Sequence, residues 1–193
     1  MNLHVFTTGR GTPYGLAEVP VIKLGEKQFQ AAQFALDVTA PGLLHAINVE
    51  IPHRVAAKYA RSRIVCFSTG NVYGRQPVSH GGAREADALV PDGEYAASCI
   101  GRERVFESVA RRTHTPLLLY RLFYACDLRY GVVTDIAHKV LHGVPVALDT
   151  GFVNVIWQGD ANRLALRALA QTAVPDVGTP VALNVTEIGR AHV

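Results

Sequence analysis

Residues Arg63 to Gly74 read RIVCFSTGNVYG, and this stretch decides the fold. Its first five residues, Arg63 to Phe67, are a short apolar run that ends on Ser68, Thr69 and Gly70. A run of this length, closed by small polar residues, is the pattern of a parallel strand buried on both faces and opening onto a loop. Upstream, Leu44, Ile47, Ile51, Val55 and Tyr59 recur at helical spacing from Leu44 to Ala60, despite Pro52. Downstream, a polar Gly- and Pro-rich loop spans Gln76 to Gly93. A helix is predicted from Tyr95 to Arg112, with Ala97, Ile100, Val105, Phe106 and Val109 as its apolar share. Pro116 then precedes an apolar strand, Leu117 to Leu122. The alternation continues through Asp135–His142, Val144–Leu148, Val153–Gln158, Asp160–Thr172 and Val181–Val185. Strands alternating with helices of this length imply βαβ units, hence an α/β fold with a Rossmann-like, mainly parallel sheet and flanking helices.

The chain of 193 residues is long enough for one ordinary α/β domain and short for two. With 49% hydrophobic and 18% charged residues it should pack and not remain disordered. A formal net charge of +3, with arginines scattered through periodic segments, lacks the basic stripe of a nucleic-acid binder. Cys66, Cys99 and Cys126 lie far apart and form no CxxC pair, which predicts neither a disulfide framework nor a zinc knuckle and fits a reducing, cytoplasmic setting. No stretch reaches the roughly 18 apolar residues of a membrane span. His138 and His142 stand at i and i+4 with Asp135 nearby, but no HExxH glutamate accompanies them, so a surface pair without metal is expected.

In a parallel α/β sheet, ligands sit beyond the carboxyl ends of the strands, where Ser68 and Thr69 are placed. Tyr95, Ala96, Ala97, Ser98 and Cys99 open the next helix, and Thr69 and Tyr95 could meet there. The hydroxyl-rich strand end running into VYG, followed by Tyr95–x–x–Ser98, resembles the extended short-chain dehydrogenase/reductase family of NAD-dependent epimerases and dehydratases of nucleotide sugars. The resemblance extends over about residues 43–186. Asn48 is similar to an Asn-bearing segment before the hydroxyl strand, and Arg121 to Tyr124 stands where the family ends a strand with Arg-x-x-Asn.

This resemblance implies NAD or NADP as cofactor and a small-molecule carbohydrate substrate. It implies Tyr95 as the proton-transferring residue, Thr69 as the substrate-orienting hydroxyl, and Asn48, Ser68, Tyr95 and Arg121 at the cofactor. Asn71 and Tyr124 are implied at the substrate, and a homodimer through the helix that bears Tyr95. A free phenol, with pKa near 10, is a poor base at neutral pH and needs a nearby cation. The family places a Lys four residues after the Tyr; here that position is Cys99, which brings no charge. Arg102, seven residues on, returns to nearly the same azimuth two turns away and is the candidate substitute. Gly70 and Asn71 are not the acidic pair of the nucleotide-sugar 4,6-dehydratases, which speaks against dehydration.

Upstream of residue 43 the pattern changes. Leu3 to Thr8 reads as a strand running into Gly9, Gly11 and Gly15, but Pro20 and an extended Val19–Leu24 replace the helix that a dinucleotide loop should open. The usual first strand and glycine-rich loop are therefore expected to be lacking, with weakened NAD affinity as the consequence. Phe6 to Leu24, FTTGRGTPYGLAEVPVIKL, resembles instead the altronate/galactarate dehydratases, which are sugar-acid hydro-lyases. Ile188 to Val193, IGRAHV, resembles the in-frame translation of a sequencing adapter. The expected organisation is a dehydratase-like fragment over 1–25, a partial epimerase/dehydratase domain over 26–187 and a non-native tail over 188–193. The competing readings are a hydro-lyase fragment and a non-catalytic Rossmann-like binding module.

Overall fold

The structure, a computed structural model, describes residues 2–8, 21–25, 44–128, 131–148, 152–170 and 179–187. The elements run β1 (Asn2–Thr8), β2 (Val21–Gly25), a π-helical turn (Ala46–Glu50) leading into α1 (Ile51–Lys58), β3 (Arg63–Thr69) and a 3₁₀ turn (Gly70–Tyr73). They continue with α2 (Glu94–Thr113), β4 (Leu117–Leu122), β5 (Tyr124–Cys126), α3 (Val132–Leu141), β6 (Val155–Trp157), α4 (Gln158–Ala170) and β7 (Val181–Val185). Five strands form one sheet in the order β2-β1-β3-β4-β7, and every pairing in it is parallel. β5 and β6 make a separate parallel pair. The expected strand at Leu3–Thr8 is thus a sheet member between β2 and β3. The glycine segment after it and the tail 188–193 lie outside the described residues.

Side-chain alternation divides β3 and β4 between two apolar layers. Ile64, Cys66, Leu117 and Leu119 pack against Val55 and Ala56 of α1 and Phe106, Val109 and Ala110 of α2. Val65, Phe67, Leu118 and Tyr120 face the other way, onto Ile156 and onto Ala161, Ala165 and Leu169 of α4. Coverage on both faces is why these strands read as unbroken apolar runs; each fully buried large side chain contributes about 1.5–3 kcal/mol. The Tyr120 hydroxyl, buried by this layer, donates to the Ala161 carbonyl at 2.7 Å.

α2 begins after Gly93, whose φ of 87° a side chain would resist, and ends at His114 in the left-handed conformation, its N–H bonded to the Ala110 carbonyl. Pro116 cannot continue it. Its buried positions are Ala96, Cys99, Arg102, Glu103, Phe106, Val109 and Ala110, so two charged residues share the apolar face.

One expected strand is absent: Val144–Leu148 is irregular and exposed, with Val144 48% and Leu148 89% accessible. Pro145 removes a ladder donor, and Val144 spends its own N–H on the Lys139 carbonyl, 2.8 Å away, closing the end of α3.

Burial of the Cys66 thiol pushes its pKa from 9.0 up to about 12, the Arg102 charge opposing and Glu103 adding to the rise. Because the folded value is raised, the unfolded chain releases this proton first. Stability is full below pH 9 and is lost as pH climbs from 9 toward 12, at up to about 1.4 kcal/mol per pH unit for one proton. Urea midpoints measured from pH 8 to 10.5 should therefore fall more steeply for the native chain than for Cys66→Val. Parallel slopes would contradict this assignment.

Candidate functional site

α2 returns the chain from the carboxyl ends of the strands to their amino ends, so its first turns stand at the rim where β3 and β4 finish. Gly101 lets the π-helical turn dock on it closely: a Cβ there would lie 2.9 Å from Cγ2 of Val49. That close approach brings Asn48, 3% exposed, into reach of α2. Asn48 Nδ2 donates to Ser98 Oγ at 2.8 Å, and its Oδ1 accepts from Arg102 Nη1 at 3.1 Å. Ser98 Oγ donates in turn to the Tyr95 carbonyl at 2.8 Å. Arg102 folds back along the helix, as long helical side chains do, and its Nη2 donates to Cys99 Sγ at 3.2 Å. Burial works against the Arg102 charge, but the potential of Cys99, Cys66, Tyr95 and Glu103 outweighs it, and its pKa is raised. Tyr95 itself is 40% exposed above this buried group.

A second network lies beside the first. The register sets Ser68 opposite Arg121 and Arg121 opposite Asn184, so one row of side chains on the α2 face crosses three strands. Glu103 of α2 joins them. Its Oε1 accepts from Ser68 Oγ at 2.5 Å and from Arg121 Nε at 3.0 Å, and its Oε2 accepts from Arg121 Nη2 at 2.8 Å. Arg121 Nη1 donates to the Tyr73 hydroxyl at 2.6 Å and to the Glu85 carbonyl at 3.2 Å. Tyr73 donates onward to Asn184 Oδ1 at 2.8 Å, and the Asn184 N–H bonds Glu85 Oε1 at 2.8 Å. Burial raises the Tyr73 pKa, while its hydrogen bond from Arg121 opposes the rise. Bidentate pairing satisfies the Arg121 guanidinium fully enough for its pKa to rise even though burial lowers it.

The residues singled out from sequence thus fall into three groups. Asn48, Cys99 and Arg102 are gathered beneath Tyr95. Ser68 and Arg121, expected at a cofactor, are tied into the Glu103 network. Thr69, Asn71 and Tyr124 stand at strand ends: the Thr69 hydroxyl accepts from the Asn71 N–H at 3.2 Å, capping the 3₁₀ turn, and Tyr124 is 52% exposed at the start of β5. Glu103, Glu85 and Asn184 carry no sequence motif, and Tyr73, part of the VYG motif, had no role assigned to it. A signal existed for Glu103, which shares the helical stripe of Ala96, Cys99, Phe106 and Ala110, where a carboxylate needs a buried partner. His138 and His142 stack with ring centroids 5.1 Å apart on exposed α3, and no group of three metal-ligating side chains occurs among the described residues.

Comparison with known proteins adds three findings. A family profile described as D-galactarate/Altronate dehydratase, C-terminal, matches residues 1–50, wider than the Phe6–Leu24 segment. No curated protein sequence matches the chain. Among solved structures, UDP-glucuronic acid 4-epimerase from Bacillus cereus, in complex with UDP-glucuronic acid and NAD, aligns with a TM-score of 0.61 at 16% identity, over 73% of this chain and 46% of that one. dTDP-glucose 4,6-dehydratase from Bacillus anthracis, in complex with NAD, aligns with a TM-score of 0.68 at 14% identity, over 98% and 76%. A UDP-galactose 4-epimerase aligns with a TM-score of 0.66 at 20% identity, over 97% and 78%. The chain spans less than half the length of the UDP-glucuronic acid 4-epimerase. Among the described residues no helix is long and apolar enough to cross a membrane. The fold is the parallel, helix-flanked α/β architecture of the NAD-dependent nucleotide-sugar epimerases and dehydratases.

Proposed function

We propose that this chain carries the reacting half of an NAD(P)-dependent epimerase or reductase acting on a nucleotide sugar or related carbohydrate. The observation that supports it best is the constellation at the start of α2: an exposed Tyr95 above a buried Asn48–Arg102–Cys99 cluster, at the carboxyl ends of a parallel sheet. Two of the solved structures of similar fold are complexes with NAD, one of them also with UDP-glucuronic acid, which supports the same chemistry here.

In this reading the nicotinamide, when bound, accepts and returns a hydride. The chain's own residues do the rest. Tyr95 Oη, as its phenolate, would take the proton of the sugar hydroxyl whose carbon is oxidised, and as the phenol would return it when that carbonyl is reduced. Ser98 and Asn48 hold the first turn of α2, so the phenol is presented from a fixed backbone. Thr69 orients the substrate, and Asn71 and Tyr124 border its sugar. Ser68 and Arg121 act at one remove, keeping β3, β4 and α2 in register through Glu103. Incubation with NAD and a set of UDP-sugars, with chromatographic separation of the C4 epimers, tests the reading. NAD-dependent interconversion of one pair is expected; none across the set, with the fold intact, would contradict it.

A second reading rests on the family match to residues 1–50. The amino-terminal segment is then a piece of a galactarate/altronate dehydratase-type hydro-lyase that extends to about residue 50, beyond the 1–25 expected from the sequence. Dehydration of altronate or galactarate by this chain would favour it over the first.

A further inference from the structure

We infer that His138 and His142, at the carboxyl end of α3, form a binding site for a divalent transition-metal ion of the Ni²⁺, Zn²⁺ and Cu²⁺ class, held by two imidazole nitrogens with water on its remaining positions. The inference does not depend on the reaction proposed above.

Spacing comes first. Side chains four residues apart on a helix are neighbours, with about 5–6 Å between their Cβ atoms. Two imidazoles so placed can reach one ion through metal–nitrogen bonds of about 2.0–2.1 Å, and the helical histidines of HExxH zinc sites use the same interval. The rings of His138 and His142 already lie side by side, with centroids 5.1 Å apart and planes 6° from parallel. Both side chains are exposed, so convergence on an ion needs rotation about side-chain bonds and uncovers no core.

Two observations go beyond spacing. Nδ1 of His142 lies 2.8 Å from the His138 carbonyl oxygen. A carbonyl only accepts, so Nδ1 carries the hydrogen and donates, and in the neutral ring the lone pair then sits on Nε2. A backbone carbonyl on the second ring nitrogen is the common companion of a metal-ligating histidine, because it fixes the tautomer and the aim of the ring. The backbone below is fixed as well. Val144 N–H bonds the Lys139 carbonyl at 2.8 Å, Gly143 N–H, with φ 64°, bonds that of Val140 at 3.2 Å, and His142 N–H bonds that of His138 at 3.1 Å. These bonds make the Schellman closure of a helix, so His142 stands on a capped terminus and not on a free loop.

The ligand set selects the ion. Two imidazoles favour Cu²⁺, Ni²⁺ and Zn²⁺ over Mg²⁺ and Ca²⁺, which take oxygen ligands. Asp135 and Lys139 are the charged neighbours on α3; no group of three metal-ligating side chains forms among the described residues, so the protein supplies two ligands. The consequence falls on the helix itself. α3 buries none of its residues, so packing holds it weakly. An ion joining residues 138 and 142 spans its last turn and, by binding only the helical form, stabilises it.

Calorimetric titration of the untagged full chain with NiCl₂, an ion that does not oxidise thiols, tests the inference. Saturable binding is expected for the native chain, and none with MgCl₂. His138→Ala and His142→Ala should each weaken Ni²⁺ binding by about tenfold or more, since losing a ligand costs at least as much as losing the group that orients one. His53→Ala removes an exposed imidazole that has no second histidine three or four residues away, and should leave the affinity unchanged. Equal affinity in all four proteins, or no saturable binding by the native chain, overturns the inference. Should either α3 variant fail to fold, amide hydrogen exchange of the native chain decides: Ni²⁺ must slow exchange at residues 138–144, and unchanged rates there overturn the inference equally.

Discussion

Glu103→Ala should destabilise the fold by about 3–5 kcal/mol, the largest stability loss expected from a single substitution at this rim. Glu103 is 1% exposed and Arg121 5%, and the carboxylate takes two guanidinium bonds and one serine bond. Truncation leaves a buried guanidinium with only the Tyr73 hydroxyl and the Glu85 carbonyl, and leaves Ser68 without its acceptor. An uncompensated buried charge costs far more than the net worth of the pair that held it. The double change Glu103→Ala with Arg121→Leu should accordingly recover much of the loss. Urea unfolding of the two variants decides the matter, and a cost below about 1 kcal/mol for the single change would mean the pair behaves as a surface ion pair.

The second large effect concerns chemistry. Tyr95→Phe should lower sugar interconversion by about 10²–10⁴-fold, the usual contribution of a positioned general acid–base group. Tyr95 is 40% exposed, so the change removes one hydroxyl without opening the core, and the unfolding free energy should hold within about 0.5 kcal/mol. Thr69→Ala is expected to behave differently. The Thr69 hydroxyl caps the Gly70–Tyr73 turn by accepting from Asn71, so its loss costs about 1 kcal/mol of stability together with turnover. Equal activity in Tyr95→Phe and the native chain would remove the phenol from the reaction.

The two largest effects differ in how far the sequence alone shows them. Tyr95 and the strand Arg63–Thr69 are written locally: an apolar run bounded by small hydroxyl residues, then a helix whose first turn carries the phenol. Arg102 could be placed from helix geometry, since position and azimuth follow from spacing alone. The Glu103 network could not. Its members are separated by 18, 35, 48 and 111 residues, and only the register of β3, β4 and β7 brings them together. Arg121 therefore looked like a ligand-facing residue at a strand end, when alternation turns it onto the α2 face beside Ser68 and Asn184. Val144–Leu148 misled for the converse reason: its residues favour a strand, but no strand among the described residues pairs with it and Pro145 removes a donor. β5, three residues long, has too little pattern to be seen from sequence.

The account as a whole depends on a nicotinamide site at the carboxyl rim of the sheet. Fluorescence titration of the native chain with NADH, competed by NAD, tests it most directly. The account predicts a saturable signal that NAD reverses, weak enough to need concentrations toward about 1 mM, or roughly −4 kcal/mol of binding free energy, and retained in Tyr95→Phe. A signal that rises linearly over that range, and that NAD leaves unchanged, would contradict it.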